Sequence, residues 1–147
     1  PEENAYLTGL GASNVIHRKE LAEASNRKLA QIRWAGAIDC VGSHTLANVL
    51  ASVAPEGCVV SCGNTQGMAL PTSVAPFILR GVTLRGIHSV TVPRPLRMKV
   101  WDQLAANLNV EHLASMTQTV NLADALDTCQ AILAGQVRGR VVLDVNK

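Results

Sequence analysis

The chain has 147 residues, of which 48% are hydrophobic and 16% are charged, and its formal net charge is +2. This length and apolar content allow a buried core, which excludes a disordered chain. No basic cluster is interleaved with aromatic residues, so we expect no nucleic-acid partner. No apolar run reaches the roughly 18 residues that a membrane span needs, and the N-terminus lacks a signal-peptide pattern. We therefore expect a cytoplasmic protein that does not bind membranes.

The first part of the sequence predicts a helix, a strand and a weak helix in that order. Residues 1–11 have proline and acids in the first turn and glycine at the end, which is typical of a short helix. Residues 12–17 read as a short strand, and residues 18–33 have only a weak helical pattern. No glycine-rich phosphate loop precedes these elements.

Residues 34–63 predict a βαβ unit. The first strand is Ala35–Val41, and Ser43 is placed to cap the following helix, which Pro55–Gly57 would end. The second strand, Cys58–Cys62, is almost continuously apolar, which is typical of a parallel strand covered by helices on both faces. The apolar face of the helix consists of Leu46, Val49, Leu50 and Val53.

The remaining sequence continues the alternation of helices and strands. In chain order we predict a helical turn from Pro76 to Arg80, a strand at 82–87 and a helix after Pro95. A strand at 117–120, a helix from Asn121 to Gly135 and a strand at 139–145 follow. The residues of the last helix that should face a core are Leu122, Leu126, Cys129 and Leu133. Ligands of parallel sheets bind beyond the carboxyl ends of the strands, so residues 41–43 and 62–67 are the first places to look for a site.

The four cysteines do not form a metal-binding pattern. No CxxC pair occurs, and the four histidines never share a helix face at i, i+4. Buried, inert thiols explain these cysteines better than a redox-active Cys62 or a metal site does. We expect no metal.

Several short segments, in this order and spacing, resemble the medium-chain dehydrogenase/reductase superfamily, and specifically its zinc-independent quinone oxidoreductase and acrylyl-CoA reductase branch. The segments are Leu10–Ser13, Trp34–Asp39 followed by Val41 and Gly42, Cys62–Gly63, Pro76–Arg80, Leu84–Gly86 and Gly139–Arg140. The resemblance covers essentially the whole chain.

The resemblance implies an α/β fold, namely a partial Rossmann domain, a doubly wound parallel sheet that lacks its first two strands. In the order 3-2-1-4-5-6, the strands near Val15, Ile38, Val60 and Leu84 would be the third to the sixth. Residues 1–110 would form this partial nucleotide-binding domain, and residues 111–147 a C-terminal helix and strand that return to the catalytic domain. The fourth strand would then expose an unpaired edge.

The resemblance also implies the chemistry. The parent enzyme would be an NADPH-dependent oxidoreductase that transfers hydride to an activated C=C bond, in an acrylyl-CoA-like enoyl thioester, or to a quinone. The chain would be part of a longer protein, inactive alone, and a homodimer through residues 71–79. Two alternatives stay open: a non-catalytic α/β dimerisation module, and an enzyme that uses Cys62 as its nucleophile.

The predicted cofactor-binding residues follow the ends of the strands, and no catalytic residue is identified. They are Val41, Gly42, Cys62, Gly63, Asn64, Ile87, His88, Ser89 and Arg140. The competing interpretations are turn glycines at Gly42 and Gly63, a surface loop residue at His88 and a solvated charge at Arg140. For Asp39, a hydrogen bond to neighbouring loop backbone is favoured over direct contact with the cofactor.

Overall fold

The computed structural model describes residues 3–146, which form two compact units, one ending at Val92 and the other beginning at Pro93. The start of the predicted first helix, at residues 1 and 2, lies outside the described residues. The predicted division at residue 110 concerns the parent enzyme and stays a prediction. Within residues 3–146, no helix combines the length and the apolar character that a membrane span requires.

The first unit is built on a parallel sheet of three strands in the order β1-β2-β3. Its neighbours follow one another in the sequence, as predicted for the fourth, fifth and sixth strands of a Rossmann sheet. The elements are α1 (Asn4–Gly9), α2 (Lys19–Ala22), β1 (Trp34–Asp39), α3 (Ser43–Ala51), β2 (Val53–Ser61), α4 (Ala75–Arg80) and β3 (Thr83–Gly86).

Helix α3 supplies most of the core, because its apolar face lies on one side of the sheet. Leu50, Val53 and Val59 are fully buried there, and side chains from α2 and α4 pack against the same cluster. On the opposite side of the sheet, Ile38 is 80% exposed. In the described residues this face of β1 is therefore uncovered, and α2, α3 and α4 pack on the other face of the sheet.

The connection between α3 and β2 differs from the prediction. The helix ends at Ala51, where the Ser52 hydroxyl donates to the Asn48 carbonyl, and β2 begins at Val53. Val53 is thus a strand residue, and Pro55–Gly57 does not end the helix. Trp34 pairs with Val53 and Gly36 with Cys58, so residues 54–57 form a bulge in the strand.

Two other predictions in this unit have different outcomes. Residues 12–17 do not form a strand, because they find no sheet neighbour among the described residues with which to form a hydrogen-bonded ladder. Strand β1 pairs only with β2 in the part of the chain that the structure describes, so it has the unpaired edge that was expected.

The second unit contains a pair of parallel strands and three α-helices in its described part. Its elements are α5 (Arg94–Asn107), α6 (Val110–Ser115), β4 (Thr117–Asn121), a 3-10 turn (Leu122–Asp124), α7 (Ala125–Leu133) and β5 (Arg140–Asp144). Asn121 makes no side-chain cap, because the 3-10 turn separates it from α7. The predicted buried face of α7 is also wrong, since no residue of this helix is buried; Leu122, Cys129 and Leu133 are exposed.

Arg80, the last residue of α4, connects three segments of the first unit. Its guanidinium donates to the carbonyl oxygens of Ala51 at 3.0 Å, Val53 at 3.1 Å and Ala30 at 2.7 Å. These carbonyls come from the end of α3, the start of β2 and the preceding loop. One charged side chain therefore satisfies the acceptors where the α3–β2 connection reverses direction.

We expect Arg80→Met to lower the free energy of unfolding by about 2–4 kcal/mol, because it leaves part-buried carbonyl oxygens without their charged donor. Arg85→Met, on an exposed position of β3, is the matched control and should change stability by less than about 0.5 kcal/mol. Urea unfolding followed by circular dichroism measures both. Equal stabilities of the two variants would contradict this role of Arg80.

Candidate functional site

The carboxyl ends of β1, β2 and β3 lie at the same edge of the sheet, because the strands are parallel and adjacent. The amide of Cys62 donates to Asp39 O at 2.9 Å, and the amide of Ile87 donates to Ser61 O at 2.9 Å, so the pairing continues past the strand ends. The structure thereby brings five predicted residues together at this edge: Val41, Gly42, Cys62, Gly63 and Asn64.

Asp39 is the buried charge that shapes this edge. Its carboxylate accepts hydrogen bonds from the amides of Val41 at 3.2 Å and Gly42 at 3.1 Å, and from the Ser61 hydroxyl at 3.1 Å. Asp39 is only 5% exposed, and these protein donors compensate for the burial of its carboxylate. This confirms the interpretation in which Asp39 organises the loop backbone.

Gly42 and Gly63 allow the backbones of two loops to touch. A Cβ at Gly63 would lie 2.5 Å from Cys40 O, and a Cβ at Gly42 would lie 2.8 Å from Gly67 O. Gly42 also has φ of +76°, a region that favours glycine. Both glycines are thus required by chain packing, and the same lack of side chains leaves backbone available to a flat ligand.

Ser43 does not act as the helix cap that was predicted. Gly42 occupies the cap position, and Ser43 is the first helical residue, with a left-handed φ of 47°. For a residue other than glycine this conformation is strained. The amides that a serine cap at position 43 would serve have other acceptors, because Thr45 donates to Gln66 Oε1 at 3.0 Å and Leu46 donates to Gly42 O at 3.1 Å.

A cavity of about 460 Å³ opens at the ends of β2 and β3. Its wall combines small residues, among them Gly42, Ser61, Cys62, Gly63, Asn64 and Gly86, with the larger apolar residues Leu46, Met68, Leu70 and Leu84. A second cavity of about 610 Å³ is lined by Val41 together with Arg18, Thr45 and Gln66. Five of the nine predicted residues therefore line these cavities: Gly42, Cys62, Gly63 and Asn64 the first, and Val41 the second.

Gln66 is a site residue that the sequence reasoning missed. Its Oε1 accepts from the amide and the hydroxyl of Thr45, each at 3.0 Å, while its Nε2 donates to Ala22 O at 2.8 Å. The side chain thus fixes the first turn of α3 to the loop after β2. Gln66 shares no spacing with Thr45 in the sequence, so no local pattern could have revealed this pair.

Cys40 and Cys62 lie side by side at the ends of β1 and β2, with 3.5 Å between their sulfurs. The hydrogen bond with Cys40, followed by desolvation and the charges of Cys40 and Asp39, raises the pKa of the Cys62 thiol. A raised pKa lowers the thiolate fraction at neutral pH, which argues against Cys62 as an activated nucleophile.

All four cysteines are exposed, so the prediction of buried thiols is wrong. The reason is that Cys40, Cys58 and Cys62 lie on the uncovered face of the sheet.

The other predicted site residues are more peripheral. Ile87 extends β3 through its amide, while His88 and Ser89 follow it in an exposed loop where His88 Nδ1 is 3.2 Å from the Thr91 hydroxyl. Arg140 belongs to the second unit, at the start of β5. The cofactor roles of these residues stay predictions.

Among the described residues, no three side chains of histidine, cysteine, aspartate or glutamate come together as a metal site would require. The site instead offers backbone groups, small side chains and two hollows at the ends of parallel strands. This arrangement suits a flat, elongated ligand held mainly by backbone contacts.

We expect Gly63→Ala to lower the free energy of unfolding by about 2–3 kcal/mol, since its Cβ would meet the backbone of Cys40 and push β1 and β2 apart. Gly86→Ala is the matched control, because a Cβ there would find nothing within 4 Å. It should change stability by less than about 0.5–1 kcal/mol. Thermal unfolding of the two variants tests the difference, and an unaffected Gly63→Ala variant would refute the close packing.

Two of the known proteins that are similar to this chain over most of its length illustrate the relationship. Acrylyl-CoA reductase AcuI from Ruegeria pomeroyi is 42% identical over 146 residues, which are 99% of this chain and 44% of that protein. YhfP from Bacillus subtilis, provisionally named a quinone oxidoreductase, is 37% identical over 139 residues. The chain spans less than half the length of these relatives.

Solved structures agree with these relatives. The crystal structure of Escherichia coli K-12 YhdH with bound NADPH has a TM-score of 0.91 at 42% identity, over 99% of this chain and 44% of that one. The structure of YhfP with NAD bound has a TM-score of 0.93 at 36% identity, with the same two coverages of 99% and 44%. The model of the zinc-binding dehydrogenase family matches residues 1–109. The chain thus belongs to the family described as zinc-binding dehydrogenase, within the medium-chain dehydrogenase/reductase superfamily that its sequence segments predicted.

Proposed function

We propose that this chain is the nicotinamide-side part of an NADPH-dependent reductase that transfers hydride to the activated C=C bond of an acrylyl-CoA-like thioester. The observation that carries the proposal is the edge at which Gly42, Cys62 and Gly63 lie together beside two cavities. The similarity to an acrylyl-CoA reductase and to a structure with bound NADPH supports it. A cytoplasmic location is part of the same proposal.

The residues at the strand ends fit a dinucleotide. Gly42 and Gly63 present backbone without side chains, Asn64 adds an amide beside them, and Val41 offers an apolar side chain to the second cavity. Asp39 holds the Val41 and Gly42 amides in place, so the floor is formed before a ligand arrives. When bound, NADPH supplies the hydride; these residues orient it and keep water from it.

Arg18 and Arg140 are the candidates for phosphate contacts in this chain. Arg18 lines the same cavity as Val41, and a guanidinium suits phosphate oxygens. Arg140 belongs to the second unit, and we assign residues 111–147 to the part that returns to the catalytic domain. The preference for NADPH over NADH rests on the NADPH-bound relative, while another relative was solved with NAD.

We infer that the chain alone is inactive and that activity needs the length of its relatives. In the full-length protein, acrylyl-CoA should be reduced with consumption of NADPH, and a quinone is the second substrate to test. The chain alone should be at least about a thousandfold slower, because it cannot position both reactants. Loss of NADPH absorbance measures the reaction.

The control is the full-length protein with NADPH and no acceptor, which should consume little NADPH. If the full-length protein neither binds NADPH in calorimetry nor reduces either acceptor, the proposal fails. The alternative of a non-catalytic α/β dimerisation module would then be favoured. Reduction of a quinone with no reaction of acrylyl-CoA would move the assignment to the quinone oxidoreductases.

We also propose that the full-length enzyme is active without zinc. Loss of its activity on treatment with a metal chelator would contradict this.

We also propose a homodimer formed through the segment after β2. Within residues 71–79 of this segment, Val74 is 67%, Ile78 72% and Leu79 66% exposed. A patch of this kind marks an interface. Ile78→Asp should convert a dimer of the full-length protein into a monomer in analytical ultracentrifugation, whereas Val90→Asp, on another exposed loop, should not. A wild-type monomer would refute the dimer.

A further inference from the structure

Cys40 and Cys62 form the only pair of thiols in contact among the described residues, with their sulfurs 3.5 Å apart. They follow the paired residues Asp39 and Ser61 by one position on each of two adjacent parallel strands. Both are exposed. The mechanism proposed above does not use either thiol.

Because each cysteine directly follows a paired residue of adjacent strands, the ordinary strand separation suits a disulfide. Adjacent strands lie about 4.8 Å apart, and the Cα atoms of disulfide-linked cysteines are usually about 4.4–6.8 Å apart. The amide of Cys62 donates to Asp39 O at 2.9 Å, which holds the two strands in this register. Side-chain rotation and a small closure of the strand ends would bring the two sulfurs to bonding distance.

We propose that Cys40 and Cys62 are a dithiol site that a small-molecule disulfide of the glutathione class converts reversibly into an intramolecular disulfide. The Cys40 thiolate attacks one sulfur of the oxidant and releases one thiol, which leaves a mixed disulfide on Cys40. The Cys62 thiolate then attacks the Cys40 sulfur and expels the second thiol. One oxidant disulfide is thereby reduced to two thiols, while the protein loses two hydrogens and gains one S–S bond.

The order of the two steps follows from the surroundings of Cys62. The Cys62 thiol donates to Asp39 O at 3.5 Å, a contact that requires its proton, whereas no such backbone acceptor is found for the Cys40 thiol among the described residues. The hydrogen bond and the negative charge of Cys40 also raise the pKa of Cys62. A mixed disulfide on Cys40 carries no thiolate charge, so it removes that opposition to ionisation. Cys62 is therefore suited to the resolving step and Cys40 to the first attack.

The site also bears on the cofactor floor, a consequence that rests on the proposed function. Cys62 lines the cavity together with Gly63, and a Cβ at Gly63 would already lie 2.5 Å from Cys40 O. Closing the sulfurs from 3.5 Å to about 2.05 Å draws these backbones together. The bridge should thus weaken nucleotide binding, and bound nucleotide should slow its formation.

The test begins with the native-length protein, reduced and freed of nucleotide, then incubated with oxidised glutathione. Intact mass and peptide mapping should show the loss of two hydrogens and one Cys40–Cys62 peptide, both reversed by dithiothreitol. Cys62→Ser should gain the mass of one glutathione on Cys40. Cys58→Ser is the matched control and should keep the bridge, because Cys58 pairs with Gly36 across the sheet.

Failure of the Cys40–Cys62 peptide to form would overturn the site, as would bridges that involve Cys58 or Cys129 instead. Stable glutathionylation of Cys40→Ser, with none of Cys62→Ser, would overturn the assigned order. NADP⁺ should slow closure about tenfold, and the oxidised protein should bind NADPH at least about tenfold more weakly. If the reduced protein does not bind NADPH, the proposed function fails while bridge formation is still measured separately. A bridge that leaves NADPH affinity unchanged would refute its effect on the floor.

Discussion

The turn between β1 and α3 depends on the carboxylate of Asp39. A carboxylate buried at the end of an apolar strand is costly unless donors surround it, and here two loop amides and the Ser61 hydroxyl do so. These contacts fix the path of Val41 and Gly42, and they tie the end of β1 to the end of β2. The geometry of the proposed cofactor floor follows from this single buried charge.

At the strand ends, close packing of the chain and the proposed cofactor binding both require a residue without a side chain. Gly63 must lack a side chain so that Cys40 can approach it, and the same property would expose backbone to the dinucleotide of the proposed function. The strained φ of Ser43 belongs to the same turn. The short glycine-containing segments that carry the family resemblance are therefore also places where backbone segments of this sheet lie in contact.

Local patterns predicted most of the elements, and interactions between distant residues account for the differences. The run of apolar residues identified α3 and β2, but the Ser52 hydroxyl and the bulge at residues 54–57 determined where one ends and the other begins. Residues 12–17 have strand propensity but no neighbour to pair with in the described structure. Helical periodicity likewise suggested a buried face for α7, although burial depends on a partner surface that periodicity does not supply.

The candidate site could be located but not assembled from the sequence. Parallel strands place their carboxyl ends at one edge, which was enough to bring Val41, Gly42 and Cys62–Asn64 together. The hydrogen bond that Thr45 donates to Gln66 and the contact between Cys40 and Cys62 join residues far apart in the sequence, and no spacing rule predicts them. Exposure of the cysteines was missed because a small apolar side chain in a strand fits either face of a sheet.

Arg80 gives helix α3 a connecting role. The helix has nine residues, so it is a rod of about 13.5 Å. The Arg80 guanidinium donates to the carbonyl of Ala51 at the C-terminal end of α3. Ile78 and Leu79, whose side chains are exposed, directly precede Arg80 in α4. The other end of α3 begins after Gly42, which occupies the cap position. Helix α3 therefore connects Arg80, and with it α4, to the turn at Gly42. The exposed apolar side chains of α4 and the proposed cofactor floor lie at opposite ends of this one helix.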